Sequence, residues 1–237
     1  MSRPTVSELA WPMDADSQRQ AQEWAGAVGT QVLDWTWRAF DLLRSNTLSR
    51  IDLDQPLEQL ERDLTSHHFR EIQQLWKRET DGYSAVSPQP EWPEMATRSP
   101  APARPPAYDI AFVWNDNPRV AWPFEAKVVA TTGTLAAYVA DTEKFTDGTA
   151  APYIGEGAQI AYLLTGLATE FFSNLSKRLA SKLLSPPEFA GRAHRSSNHT
   201  RESAPDLRLH HMAMLCGGAQ TQVMLPGFGG IHAHKFE

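Results

Sequence analysis

Two acids and a lysine stand in a segment of the chain that is otherwise apolar. The stretch AYDIAFVWNDNPRVAWPFEAKVV, residues 107–129, holds Asp109, Glu125 and Lys127 among Ile, Phe, Val, Trp and Ala. An unpaired charge in apolar surroundings costs several kcal/mol. The three groups must therefore either neutralise one another or face a site that needs them.

The same stretch predicts a β-hairpin that brings the three groups together. YDIAFVW and RVAWPFEAKVVA are rich in aromatic and β-branched residues, and the turn signal NDNP separates them. Side chains alternate along a strand, so Glu125 and Lys127 share one face. A register that places the apolar residues on the other face brings Asp109 beside Glu125.

Two neighbouring carboxylates favour a divalent cation. At a separation of about 4 Å they repel by roughly 4 kcal/mol at an effective dielectric of 20, and oxygen ligands of this kind suit Mg²⁺. Lys127 would then hold or polarise a water, or stabilise charge on a phosphate. A plain ion pair between Lys127 and Asp109 or Glu125, on a solvated sheet face, is the alternative.

The remaining elements follow from periodicity and from turn signals. The expected order is a helix over 16–45, a helix over 57–79, a Pro-rich connection over 86–107, the hairpin, a helix over 134–148, a long helix over 156–184, a polar loop over 185–206 and a last strand over 207–215. The expected organisation is a helical N-terminal extension (1–50), an α/β domain (51–215) and a Gly-rich C-terminal tail (216–237).

This order resembles the PD-(D/E)xK, or restriction-endonuclease-like, superfamily. Its core has a helix that carries an acid, a hairpin that carries D and (D/E)xK, then a helix and a last strand. Here Asp109 corresponds to the metal-binding Asp, and EAK, residues 125–127, corresponds to (D/E)xK; Tyr108 stands where the family usually has Pro. The helix LERDLTSHHFREI resembles the one that supplies the first acid, with Glu61 as the first choice. Its rivals are Glu58, Asp63 and Glu71.

The resemblance covers residues 55–215 and implies a fold and an activity. The fold would be a restriction-endonuclease-like core, a mixed sheet flanked by helices, with the helical N-terminal extension. The activity would be metal-dependent hydrolysis of phosphodiester bonds, in DNA rather than RNA, in a setting of bacterial restriction or anti-phage defence. Mg²⁺ or Mn²⁺ would be held by Glu61, Asp109, Glu125 and the carbonyl of Ala126, with Lys127 orienting the attacking water.

A local positive excess predicts where nucleic acid binds. Residues 176–211 contain seven Lys or Arg and three acids, within a chain whose net charge is -6. We expect phosphate contacts from Lys177, Arg195, His199 and Arg201. A solvated polar loop is the alternative interpretation.

The composition bounds the class of protein. The contents of 41% hydrophobic and 21% charged residues are ordinary for a soluble domain, and we expect a cytoplasmic protein with no signal peptide and no membrane span. A single cysteine, Cys216, excludes an internal disulfide. Two other functions stay open: a catalytically silent subunit of the same fold that binds nucleic acid, a protein partner or a second copy, and an unrelated α/β protein.

Overall fold

The computed structural model describes residues 13–94, 107–202 and 204–217, and this part of the chain forms an α/β fold. Its helices are α1 (Ala15–Asn46), α2 (Leu57–Thr80), α3 (Thr132–Thr146) and α4 (Ala168–Leu179), with short 3₁₀ turns at Leu48–Arg50 and Pro187–Phe189. Its strands are β1 (Val86–Pro93), β2 (Ala107–Trp114), β3 (Ala121–Val129), β4 (Glu156–Leu163), β5 (His194–His199) and β6 (Leu207–Leu215). Within these ranges no helix is both long and apolar enough to cross a membrane.

The six strands form one mixed sheet in the order β1-β2-β3-β4-β6-β5. The predicted hairpin is present: β2 and β3 pair antiparallel with Ile110 opposite Phe124. β3, β4 and β6 run parallel in the centre, while β1 and β5 are antiparallel edge strands. Parallel neighbours need long crossover connections. The segment with α3 links β3 to β4, and the segment with α4 and β5 links β4 to β6.

Helices cover both faces of the sheet. α1 and α2 pack with the strands into the larger core, in which Trp35, Leu64 and Phe112 are completely or almost completely buried. α3 and α4 form the second core through Tyr138 and Leu175. The predicted N-terminal extension therefore contributes directly to the main core rather than standing apart from it.

The predicted long helix over 156–184 is wrong in its first half. Residues Glu156–Leu163 form β4, and only Ala168–Leu179 are helical. β4 lies between β3 and β6 and is buried on both faces, so its sequence does not alternate between apolar and polar residues. Such a run does not distinguish a buried strand from a buried helix. Gly166, with φ +79°, then makes the turn into α4.

Two segments predicted as irregular contain edge strands. β1 occupies the first part of the Pro-rich connection over 86–107, and β5 occupies part of the predicted loop over 185–206. An edge strand accepts proline because one row of its backbone groups has no ladder partner. Residues 95–106 of the connection, and the predicted C-terminal tail beyond Gly217, lie outside the described residues.

Arg201, a predicted phosphate contact, is buried and bonded to the backbone in the structure. Its side chain is buried, and its guanidinium donates to the carbonyls of Phe145, Ala150, Ala151, Ile154 and Pro205. These carbonyls belong to the last turn of α3, to the segment that follows it and to the turn before β6. The guanidinium therefore joins the end of α3 and the backbone after it to the backbone before β6.

We therefore predict that Arg201→Met lowers the free energy of unfolding by about 2 to 4 kcal/mol, because buried carbonyls lose their donors. Urea unfolding measures the change. Lys182→Met, at an exposed position, serves as the control. Equal stabilities of the two variants would contradict the structural role of Arg201.

Candidate active site

The candidate site lies where β2 and β3 separate. Their pairing ends at Ile110 and Phe124. Beyond that point two amides of β3 are bonded by acid side chains: Ala126 N–H donates to Asp109 Oδ2 at 2.7 Å, and Val128 N–H donates to Glu61 Oε2 at 3.1 Å. Buried backbone donors need acceptors. The separation of the strands thus draws one acid from β2 and one from α2 to the same edge of β3.

Of the four candidate first acids, Glu61 is the one that contacts this site. Its Oε1 lies 2.8 Å from Lys127 Nζ, in addition to its bond to the Val128 amide. Glu58 is exposed and pairs with Arg62 on its own helix, and Asp63 accepts hydrogen bonds from Gln55 and Gln59. The structure therefore places Glu61 beside Lys127.

Lys127 bridges two helices from its position on β3. Its Nζ contacts Glu61 of α2 and lies 3.3 Å from Oδ2 of Asp141 on α3. Burial lowers the pKa of this ammonium, but Glu61, Asp141 and Asp109 together outweigh burial and raise it above its ordinary value. Lys127 is therefore a cation at neutral pH.

Helix α3 adds two residues that the sequence analysis missed. Asp141 Oδ1 lies 2.8 Å from Lys144 Nζ, and Lys144 Nζ lies 3.7 Å from Glu125 Oε2. The signal in the sequence was an acid and a lysine three apart on the helix that directly follows the Glu-x-Lys strand. We call the whole group the acid–lysine cluster: Glu61, Asp109, Glu125, Lys127, Asp141 and Lys144.

The acid–lysine cluster has more acids than lysines. Four carboxylates face two ammonium groups, which leaves two negative charges when all six are ionised. Burial first, and then the charge of Asp109, raises the pKa of Glu125 to about 8. Burial also raises the pKa of Asp109 to about 6, against the effects of the Ala126 amide and Lys127. The two acids hold protons more tightly than usual because they are shielded from water, and the two lysines offset this effect only in part.

The donor chemistry of Asp109 and Glu125 fits a hard divalent cation. Among the described residues no group of three or more His, Cys, Asp or Glu is arranged to hold a metal ion. Both carboxylate oxygens of Glu61 have other partners, Lys127 and the Val128 amide. Mg²⁺, however, commonly binds through one or two carboxylates, with water and substrate oxygens completing its shell. Glu61 and the carbonyl of Ala126 stay predicted ligands.

The predicted nucleic-acid contacts do not gather beside the cluster. Lys177 is exposed on α4, and His199 on β5 shares a hydrogen bond with Ser197. Arg195 donates to the carbonyl of His194, and its guanidinium lies 5.2 Å from the centre of the Phe172 ring. β5 is three strands from β3, or roughly 14 Å at normal strand spacing. Apart from the buried Arg201, these residues stay predicted contacts.

The histidines of β5 and β6 are part of the packing. Trp37 Nε1 donates to His194 Nδ1, and His194 Nε2 lies 2.9 Å from His210 Nδ1. His211 lies between the hydroxyls of Tyr138 and Ser197. Burial lowers the pKa of His194 and His211 to about 3, so both are neutral.

Comparisons of the chain with protein-family models, with curated proteins and with solved structures found no match. The resemblance to the PD-(D/E)xK superfamily therefore depends on the residue types, their spacing and the order of elements in this chain.

The raised pKa of Glu125 predicts a pH-dependent stability of the metal-free protein. The ordinary pKa of a glutamate is 4.5 and that of Glu125 is about 8, so between these values the folded chain binds more protons than the unfolded chain. Stability must then fall as the pH rises through this window. Glu125→Gln has no proton to lose, and its stability should fall less. Urea unfolding in EDTA at a series of pH values measures both proteins.

Glu58→Gln is the matched control for this experiment, because Glu58 is an exposed glutamate paired with Arg62. It should keep the wild-type pH dependence. If Glu125→Gln kept that dependence as well, the Glu125 carboxyl would be ionised in the folded protein and the charge imbalance of the cluster would be compensated elsewhere.

Proposed function

We propose that this protein is a metal-dependent nuclease that hydrolyses phosphodiester bonds, with DNA as its substrate. The observation that carries the proposal is the acid–lysine cluster at the separation of β2 and β3. There the buried Glu125 and the half-buried Asp109, both with a raised pKa, lie beside a lysine that stays charged.

The order of elements adds support. An acid on α2, Asp109 on β2, Glu125 and Lys127 on β3, then α3 and a parallel strand β4, follow the core order of the PD-(D/E)xK superfamily. On this proposal the sheet is the restriction-endonuclease-like core, and the biological setting is bacterial restriction or anti-phage defence.

The acids Asp109 and Glu125 have one role in the proposed reaction, and Lys127 has another. Asp109 and Glu125 would hold Mg²⁺ or Mn²⁺, and Glu125, whose pKa is about 8, would give up its proton when the cation binds. A bound cation would supply a more acidic water and offset charge on the scissile phosphate. Lys127 is protonated at neutral pH, so it orients the attacking water and stabilises negative charge on the phosphate rather than taking a proton.

A catalytically silent subunit that binds nucleic acid or a protein partner is the second candidate. It is favoured by the internal pairing of the cluster, in which Glu61 is satisfied by Lys127 and Val128, and Glu125 lies near Lys144. Such pairing would preserve the fold without a cation. The two candidates differ in turnover and in metal binding.

Cleavage assays separate the two candidates. Purified protein is incubated with plasmid, single-stranded DNA and RNA, in Mg²⁺, Mn²⁺ or EDTA. We expect cleavage of DNA with either metal and none in EDTA, and loss of cleavage in Asp109→Asn. Asp116→Asn, in the exposed turn between β2 and β3, is the matched control and should cut normally. Cleavage by Asp109→Asn at the wild-type rate would disprove this active site.

Lys127→Met tests catalysis apart from metal binding. We expect a Mn²⁺ affinity close to that of the wild type and a cleavage rate lower by about 10² to 10⁴, the usual loss for an electrostatic or acid–base group. Calorimetry, melting temperature and cleavage rate are measured on the same preparation. A variant that melts much earlier but cuts normally would make Lys127 only the partner of Glu61 and Asp141.

A further inference from the structure

Five residues of the acid–lysine cluster form a continuous chain of charged contacts, and Lys144 is the most exposed of them. The chain runs from Glu61 through Lys127 and Asp141 to Lys144, and then at a longer distance to Glu125. The Lys144 side chain is 45% exposed, against 27% for Lys127 and 16% for Asp141. A ligand that approaches the cluster from solvent therefore meets Lys144 before the other lysine.

Lys144 is held firmly on one side only. Its Nζ lies 2.8 Å from Asp141, three residues earlier on α3, but 3.7 Å from Glu125, which is beyond hydrogen-bond length. Lys127, in contrast, lies between Glu61 and Asp141 and has little freedom to turn outwards. The ammonium of Lys144 can thus change its second partner without leaving α3.

We propose that Lys144 is a second phosphate-binding lysine of this site, and that Asp141 is the residue that positions it. The inference rests on the proposed function and adds a substrate contact to it. Once Asp109 and Glu125 share a cation, Glu125 attracts Lys144 less strongly, and the exposed ammonium is available to a phosphate of the nucleic-acid backbone. Asp141 keeps the ammonium over β3 during this exchange.

Lys144 suits this contact better than the basic residues of α4 and β5. It lies in the cluster itself, whereas β5 is three strands away from β3. Arg195 is also occupied by a carbonyl and by an aromatic ring. We therefore assign the phosphate contact nearest to the scissile bond to Lys144 on α3.

The salt dependence of binding tests the proposal without turnover. A fluorescent DNA duplex is titrated with the Asp109→Asn protein at several salt concentrations, with and without Lys144→Met. Each lost phosphate contact lowers the slope of log K against log salt by about 0.9 for duplex DNA. We expect this loss, and a weaker affinity, in Lys144→Met. Lys144→Arg keeps the charge and should retain the slope.

Lys77→Met in the same background is the matched control. Lys77 is an exposed lysine in the last turn of α2, sixteen residues and about 24 Å along the helix from Glu61. Its removal should leave the slope unchanged. Asp141→Asn should weaken binding less than Lys144→Met, and Asp141→Glu should restore it.

The outcomes are distinct. If the Asp109→Asn protein binds DNA and the added Lys144→Met change leaves the slope of log K against log salt unaltered, the proposal is overturned. Lys144 would then be only a counter-ion of Glu125. Calorimetry would in that case show tighter Mn²⁺ binding by Lys144→Met. If the protein with native Lys144 binds no nucleic acid at all, the proposed function falls together with this inference. Melting temperatures show whether each variant is folded.

Discussion

The pairing of β2 with β3 stops at Ile110 and Phe124. The position of the acids in the site depends on this end of the strand pairing. The amides of Ala126 and Val128 would otherwise be buried donors without a strand partner, and Asp109 and Glu61 accept from them. Because a buried unsatisfied donor is costly, these two bonds fix α2 and the start of β2 against β3. The backbone thus holds the acids in place even before any ion is considered.

Charge balance is the second constraint, and it follows from the first. Acids brought together by backbone amides and helix packing repel one another, and Lys127 and Lys144 offset only part of this repulsion. Burial first, and then this repulsion, raises the pKa of Glu125, and burial is also the main cause of the raised pKa of Asp109. Removing one partner from such a set leaves an uncompensated charge and destabilises the fold, whereas replacing the whole set with apolar residues is often neutral or stabilising.

Helices pack on both faces of the sheet and hold the acid–lysine cluster in place. α1 and α2 bury one face of β3 and α3 buries the other, so the cluster is assembled from elements on both faces at one strand. Arg201 donates to four carbonyls at the end of α3 and in the segment after it, and this helps to hold the helix that carries Asp141 and Lys144. Neutral, hydrogen-bonded histidines fill the neighbouring strands.

The sequence by itself determined the hairpin, the helices α1, α2 and α3, the last strand β6, and the common face of Glu125 and Lys127, because strand alternation and helical periodicity are local properties. It did not determine β4, whose burial on both faces removes any periodic signal, or the edge strands β1 and β5, whose residues are mostly polar or proline. The sequence favoured Glu61 among the acids of α2, but only the tertiary structure placed it beside Lys127 and brought Asp141 and Lys144 to β3. Those contacts join residues far apart in the chain, and they depend on how two helices pack across one strand.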